Sequence, residues 1–344
     1  MSQNTLAAPS LSELFRAIPG LGAVEQLIAS KFETDAPRLA EISEYLFKLG
    51  GKRVRPALTL LVARAFGMSE PEQSLIDVAA GIELIHMATL LHDDIIDRSP
   101  IRRHHPSPYA TYGTNDTLLA GDFLLTRAFS LCARLDPFII DATEEACIHL
   151  TEGEILETPL FSHPHTLATS RTIAEKKTAA LFRLGARSAG FLGGLRDKAL
   201  ISLDSFGNHL GISFQMLDDL LDVLSPEEQL GKRPGTDIRE RKPSLVNLLW
   251  LSSNSSLAKK LLVAPKEDAD TNEEEENFIS EAIAEIISSD VIATAREHAQ
   301  SEAQAADQAL QDAATHAKSA GIRIDEEALL AIQGIIKYTV DRMS

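Results

Sequence analysis

Apolar residues recur along most of this chain at spacings of three and four positions, the period expected of an amphipathic helix. The pattern continues through seven segments, which are Ile42–Leu49, Ala57–Ala65, Leu75–Leu91, Leu118–Leu131, Thr172–Phe191, Ile201–Leu224 and Ala328–Val340. Strand-like alternation is too short to compete, and no tight-turn dipeptide joins two alternating segments. The pattern therefore predicts an all-α fold.

Glycine and proline separate the predicted helices. Gly50 and Gly51 favour the end of one helix, and Pro56 fits the first turn of the next. The acidic stretch at residues 265–277 predicts a solvated loop between helices. Because 344 residues can bury one large core, we expect residues 1–344 to form a single helical domain.

The charge balance restricts the partners of the protein. Lys and Arg total 33 and Asp and Glu total 50, so the formal net charge is −17. This balance argues against binding to nucleic acid or anionic lipid, although a local cationic pocket can still bind an anionic substrate. Cys132 and Cys147 are too few for a disulfide framework or a zinc site. We recognise no secretory signal and no run of about 18 apolar residues, so we expect a cytoplasmic protein that is not integral to a membrane.

A DDxxD motif occurs twice, each time within an apolar helical segment. The two motifs contain Asp93, Asp94 and Asp97, and Asp218, Asp219 and Asp222. On a helix the first and last of these positions share a face, and the second lies beside them. Neighbouring carboxylates in apolar surroundings repel each other and are poorly solvated, which a hard divalent cation corrects. Magnesium is suitable because it leaves coordination positions for water and for substrate phosphate.

Basic residues accompany both acidic motifs. They occur in Lys52-Arg53-Val54-Arg55 at a predicted helix start, in Arg102-Arg103 after the first motif, in Lys176-Lys177 within a helix, and in Lys232-Arg233 and Lys242 after the second motif. Helix starts favour anions, and Arg and Lys add donors for phosphate oxygens. Carboxylates for metal ions together with these cations describe a diphosphate site.

With these motifs in order, the chain resembles the trans-isoprenyl diphosphate synthases of the polyprenyl synthetase family. The matching stretches are GKRVRP, ELIHMATLLHDDIID, the RR pair, the KT pair, FQMLDDLLD and GKRPGTD. The resemblance implies one large antiparallel helical bundle with a central active-site cavity. It also implies a trans-prenyltransferase that condenses isopentenyl diphosphate with an allylic diphosphate (dimethylallyl, geranyl or farnesyl) and works as a homodimer.

The resemblance also implies roles for individual residues. Isopentenyl diphosphate would be held by Lys52, Arg55, His86 and Arg103. The allylic diphosphate would be held by Arg102, Lys177, Thr178, Gln215, Lys232 and Lys242. Three magnesium ions would be held by Asp93, Asp97 and Asp218, with support from Asp94, Asp219 and Asp222. The six aspartates, Lys177 and Lys232 would form the catalytic set.

Two local features modify this expectation. His104 stands where the family usually has Gly, so the conformation of this loop is in question. Ala88 and Thr89 are small, whereas short-chain members of the family carry a bulky floor residue there. We therefore expect a product longer than geranylgeranyl diphosphate and expect Ala88→Phe to shorten it. Alternatively, Phe123, Phe129 or Phe138 sets the floor.

Three other functions remain open at this stage. A short-chain farnesyl or geranylgeranyl diphosphate synthase would carry the same motifs. A class I terpene cyclase shares the fold and the ionisation step, but its second metal motif usually mixes Asn, Ser and Glu. A non-catalytic subunit of a heteromeric synthase tends to lose acidic motifs, and both are intact here.

Overall fold

The computed structural model describes residues 18–231, 233–265 and 273–341. The helices of the first half are α1 (Leu21–Ser30), α2 (Pro37–Lys48), α3 (Val54–Ala65), α4 (Gln73–Ile96), α5 (Pro108–Tyr112), α6 (Thr114–Cys132), α7 (Pro137–Leu156) and α8 (Leu167–Ile173). A π-helical turn (Ala174–Ala179) continues α8 directly into α9 (Ala180–Leu192). The seven predicted helical segments all lie largely within helices, so the all-α prediction is confirmed.

The second half is also helical. Its α-helices are α10 (Asp197–Leu224), α11 (Glu227–Leu230), α12 (Thr236–Arg239), α13 (Leu245–Ser252), α14 (Glu273–Ser288), α15 (Val291–Ser319) and α16 (Glu326–Asp341). A 3₁₀ turn spans Ala258–Leu262. The prediction of a loop at residues 265–277 is wrong for its final part, because α14 begins at Glu273. Lys232 and residues 266–272 lie outside the described residues.

Two very short strands form the exception to the helical pattern. Strands β1 (Ile101–Arg102) and β2 (His105–Pro106) pair antiparallel directly after the first acidic motif. Arg103 and His104, which join them, both have positive φ, at 52° and 66°. A two-residue turn of this kind suits the twist of a hairpin. His104 therefore adopts the left-handed conformation that explains why glycine is usual at this position.

Long helices bring the two acidic motifs to one place. Helices α4 and α10 carry the motifs near their C-terminal ends, and α9 contacts α3, α4 and α10. Helix α4 is long and apolar enough to cross a membrane by composition, but 72% of its most apolar window is buried inside the protein. That degree of burial is the behaviour of a core helix. A second hydrophobic cluster surrounds the C-terminal half of α10 and includes side chains from α13, α14 and α15.

A close approach between α10 and the π-helical turn fixes the relative height of two site elements. A Cβ atom added at Gly211 would lie 2.3 Å from Ala179 Cα and 2.6 Å from Ala179 Cβ. Because the obstruction is backbone, it cannot move aside like a flexible side chain. Glycine at position 211 therefore permits the contact that places Thr178 beside Gln215.

We expect Gly211→Ala to lower the free energy of unfolding by about 1–3 kcal/mol, the usual cost of overpacking. The matched control is Gly334→Ala on α16, where an added Cβ meets nothing within 4 Å. That control should stabilise the protein by up to about 1 kcal/mol, because alanine favours helix over glycine. Chemical denaturation of both variants measures the difference, and equal stabilities would contradict the close contact.

Candidate active site

A cavity of about 690 Å³ is lined by residues of α3, α4, the π-helical turn, α10 and the segment before α13. Most of the predicted site residues border it, namely Lys52, Arg55, His86, Asp93, Asp97, Arg102, Arg103, Lys177, Thr178, Gln215, Asp218, Asp219 and Lys242. Asp94 and Asp222 do not border the cavity. The structure thus gathers residues from five separate sequence regions around one space.

The first acidic motif is divided between the cavity and a supporting contact. Asp93 and Asp97 border the cavity, as their i, i+4 spacing predicts. Asp94 is fully buried, and its Oδ1 accepts hydrogen bonds from Arg102 Nε at 2.8 Å and Nη2 at 2.7 Å. The expectation that all three carboxylates project together is therefore wrong for Asp94. Its carboxylate holds Arg102 at the cavity edge.

The second acidic motif is divided in a different way. Asp218 and Asp219 border the cavity, whereas Asp222 accepts a hydrogen bond from the backbone N–H of Asp237 at 3.0 Å. Asp219 Oδ2 accepts from the backbone N–H of Leu245 at 2.9 Å, at the start of α13. Burial raises the pKa of Asp219 to about 7 despite such donors. Asp219 and Asp222 thus tie the following segment to α10.

Arg55, His86 and Arg103 form a cationic corner of the cavity. The Nε atom of Arg55 is buried and has no hydrogen-bond partner among the described residues. Burial, and then the nearby charge of Arg55, hold the pKa of His86 well below its usual value, so this imidazole is neutral. A Cβ atom at Gly51 would lie 3.2 Å from the Arg103 guanidinium, so glycine leaves room for it. The corner is suited to an anion that brings its own acceptor oxygens.

Arg53 and Glu83 form a buried ion pair that the sequence did not reveal. Arg53 Nη1 donates to Glu83 Oε1 at 2.7 Å, and both side chains are less than 8% exposed. Arg53 lies two residues from Arg55, yet the pair already occupies its charge. Glu83 precedes His86 by three positions on the same helix face, a spacing that could have identified it. The pair forms a fixed wall beside the cationic corner.

Lys177 is held by two carboxylates that the sequence also did not reveal. Its Nζ lies 2.6 Å from Glu154 Oε2 and 2.5 Å from Glu157 Oε2. Burial alone would lower the pKa of Lys177, but Glu157 and then Asp93 raise it above its usual value. The lysine is therefore charged in the cavity. It lies in the π-helical turn, a local irregularity that is frequent at functional sites.

Two further contacts join the elements around the cavity. Thr178 Oγ1 donates to Gln215 Oε1 at 2.6 Å, and Gln215 Nε2 donates to Asp219 Oδ1 at 2.9 Å. Lys242 Nζ lies 3.0 Å from Asp97 Oδ2 and therefore connects the two acidic regions. These contacts place carboxylates and cations in alternation around the space.

The carboxylates of the cavity fit a divalent cation by their chemistry. Asp93, Asp97 and Asp218 supply the oxygen ligands that magnesium prefers. Burial raises the pKa of Asp93 to about 7, so its ionised form lacks charge compensation that a cation would supply. Within the part of the chain that the structure describes, no three such side chains already form a metal-binding cluster. We therefore expect a bound ion to draw them together.

Comparison with known proteins agrees with this geometry. The polyprenyl synthetase family model matches residues 36–285. The chain belongs to the polyprenyl synthetase family. An octaprenyl diphosphate synthase of Escherichia coli is 36% identical over 227 residues, which cover 65% of this chain and 70% of that protein. A geranylgeranyl diphosphate synthase of Methanosarcina mazei is also 36% identical, over 62% of this chain and 67% of that protein.

A solved structure shows the same fold. The polyprenyl synthase of Caulobacter crescentus, crystallised with calcium and isoprenyl diphosphate, superimposes with a TM-score of 0.82 and 28% identity over 97% of both chains. This polyprenyl synthetase therefore has the helical isoprenoid synthase fold, as the sequence predicts, and it is a prenyltransferase.

Proposed function

We propose that this polyprenyl synthetase adds isopentenyl diphosphate units to an allylic diphosphate in the presence of magnesium, giving an all-trans polyprenyl diphosphate. The observation that carries the proposal is the single cavity in which carboxylates from α4 and α10 meet cations from four other segments. Such a composition suits two diphosphates and the metal ions that neutralise them. The calcium and isoprenyl diphosphate in the Caulobacter relative support the same ligand classes.

The residues around the cavity divide into two groups by their partners. Arg55, His86 and Arg103 would hold isopentenyl diphosphate, since no other anion neutralises that corner fully. Lys177 and Lys242 would turn from their carboxylate partners toward the allylic diphosphate.

Magnesium, held by Asp93, Asp97 and Asp218, would supply the positive charge that makes the diphosphate a leaving group. Leu90, Ile173 and Phe214 line the cavity and would exclude water from the allylic cation. The double bond of isopentenyl diphosphate then attacks that cation, and loss of a proton completes the new allylic product.

Incubation with geranyl diphosphate, isopentenyl diphosphate and magnesium tests this proposal directly. We expect elongated products on chromatography after removal of the diphosphate. A cyclic or hydrolysed product without elongation would indicate a terpene cyclase instead. Absence of any turnover would indicate a non-catalytic subunit.

We further propose that the product is longer than geranylgeranyl diphosphate. Thr89 borders the cavity one helical turn before Asp93, and neither it nor the fully buried Ala88 blocks a growing tail with an aromatic ring. The octaprenyl diphosphate synthase among the relatives supports a long product. The geranylgeranyl diphosphate synthase leaves a shorter product as the alternative.

Thr89→Phe should shorten the product by at least one isoprene unit, because the added ring would occupy the tail path. Ala88→Phe, one residue deeper in the core, should act in the same direction. Thr89→Val is the matched control, since it removes the hydroxyl that donates to His86 O at 2.8 Å but keeps the volume. Product chromatography compares the variants. An unchanged product distribution in both phenylalanine variants would place the tail elsewhere.

We also propose that the protein is a homodimer, as the resemblance implies. Helices α6 and α7 expose large apolar side chains, namely Leu118, Leu119, Phe129, Ile140, Ile148 and Ile155. On α7 the exposed isoleucines follow each other at eight and seven positions and therefore share one face. Covering this face with a second copy would remove it from water. Sedimentation at micromolar concentration tests the proposal, and a monomer would contradict it.

A further inference from the structure

The acidic start of α14 contacts the segment that carries Lys242 to the cavity. We name residues 233–244 the basic loop, because it includes Arg233, Arg239, Arg241 and Lys242. The loop follows the second acidic motif in sequence and ends where α13 begins. Helix α14 itself does not border the cavity among the described residues.

Glu276 makes the most extensive of these contacts. Its Oε1 accepts from Arg239 Nη1 at 2.9 Å, and its Oε2 accepts from Arg239 Nη2 at 3.2 Å. Oε1 also accepts from Arg233 Nη1 at 3.2 Å. A forked arginine–carboxylate pair fixes orientation as well as distance. Glu276 thus orients the short helix α12 within the basic loop.

Two further contacts hold the same interface. Arg241 is 3% exposed, and its Nη1 lies 2.8 Å from Glu275 Oε1. A Cβ atom added at Gly235 would lie 3.0 Å from both Ile279 Cγ2 and Ile283 Cδ1. The basic loop is therefore packed on α14 by apolar contact and paired with it by charge.

Backbone and amide contacts carry this fixed position from α12 to the site lysine. The backbone N–H of Lys242 donates to Asp237 O at 2.9 Å. The side-chain amide of Asn247 donates to both Asp237 O and Lys242 O at 2.9 Å. Asp237 lies inside α12, so a displacement of Arg239 and its helix would also displace Lys242.

We propose that Glu276 is a positioning residue, which holds Arg239 and thereby sets the basic loop so that Lys242 reaches the allylic diphosphate. The inference deepens the proposed function and rests on it. The acidic run that composition alone assigned to a solvated loop thus acquires a defined role. A helix more than 30 residues away in sequence controls how well the site holds one of its two substrates.

The test uses the full-length protein and magnesium pyrophosphate as the probe. Glu276→Gln keeps the size of the side chain but removes its charge, and we expect roughly three- to ten-fold weaker pyrophosphate binding by calorimetry. The Michaelis constant for geranyl diphosphate should rise similarly, while that for isopentenyl diphosphate and the turnover number remain unchanged. Glu273→Gln, at the exposed first residue of α14, is the matched control and should bind as the wild type does.

A second background shows whether Glu276 acts through Lys242. Lys242→Gln alone should weaken pyrophosphate binding, and Glu276→Gln added to it should produce no further loss. Wild-type affinity in Glu276→Gln would overturn the inference, and so would an equal further loss in the Lys242→Gln background. A variant that is less stable to heat but binds normally would also overturn it. Failure of the wild type to bind magnesium pyrophosphate would instead overturn the proposed function, and the inference with it.

Discussion

Asp93→Asn should lower the turnover number about a thousand-fold, because it removes a carboxylate that we expect to hold the magnesium ion. A loss of several kcal/mol of transition-state charge stabilisation corresponds to that factor. The side chain borders the cavity, and asparagine keeps its size. Steady-state assays at saturating magnesium, with both diphosphates present, measure the effect.

The same substitution should stabilise the metal-free protein. Burial, opposed by Lys177, raises the pKa of Asp93 from 3.8 to about 7. For an acid whose pKa rises on folding, ionisation costs stability, and this cost grows from about pH 4 and is complete above about pH 7. Asparagine cannot ionise, so its gain over the wild type should appear at pH 8 and vanish near pH 4. Thermal unfolding in a chelating buffer at both pH values checks the sign.

Asp77→Asn is the matched control on the same helix. Asp77 accepts a hydrogen bond from Gln73 at 2.8 Å and does not border the cavity. This variant should retain full turnover and show no gain at pH 8. Full turnover in Asp93→Asn would contradict the assignment of this aspartate. Loss of turnover together with unfolding would show that the residue is structural.

The fold could be predicted from the sequence because its core helices have a strong period. Helices α4 and α10 bury one whole face or more, so apolar residues recur over more than 20 positions. Helix α14 was missed at its start because four consecutive glutamates resemble a solvated loop. Their partners Arg239 and Arg241 lie more than 30 residues earlier, and composition contains no signal of that pairing.

The chemistry of the site could also be predicted, but the division of labour within each motif could not. Asp93 and Asp94 are neighbours, yet one borders the cavity and the other holds Arg102. Local spacing gives the direction of a side chain around its own helix. It does not give the partner that another segment places there.

The same limit explains the missed anions of the site. Glu154 and Glu157 lie at i, i+3 near the end of α7 and hold Lys177 from across the cavity wall. Their spacing is a signal, but surface helices show such pairs often. Only the position of the π-helical turn against α7 makes the pair part of the site.

Arg55→Gln should raise the Michaelis constant for isopentenyl diphosphate about a hundred-fold, the second large effect that we expect. The buried Nε of Arg55 has no partner in the described ranges, and burial lowers the pKa of the guanidinium, so a bound anion would satisfy it. Removing a charged donor from a buried anion corner costs about 2–3 kcal/mol, which corresponds to roughly this factor. Arg55→Lys keeps the charge without the fork and should fall between the two.

The matched control for Arg55 lies on the same helix. Arg64→Gln removes an arginine that pairs at the surface with Asp325 at 2.9 Å and with Glu327 at 2.7 Å. It should change stability slightly and leave both Michaelis constants unchanged, because the pair lies outside the cavity. Substrate-specific kinetics decide between the two possible roles of Arg55. A rise confined to the allylic substrate would assign Arg55 to the other diphosphate, and equal loss for both substrates would show that it supports the whole cavity rather than one corner of it.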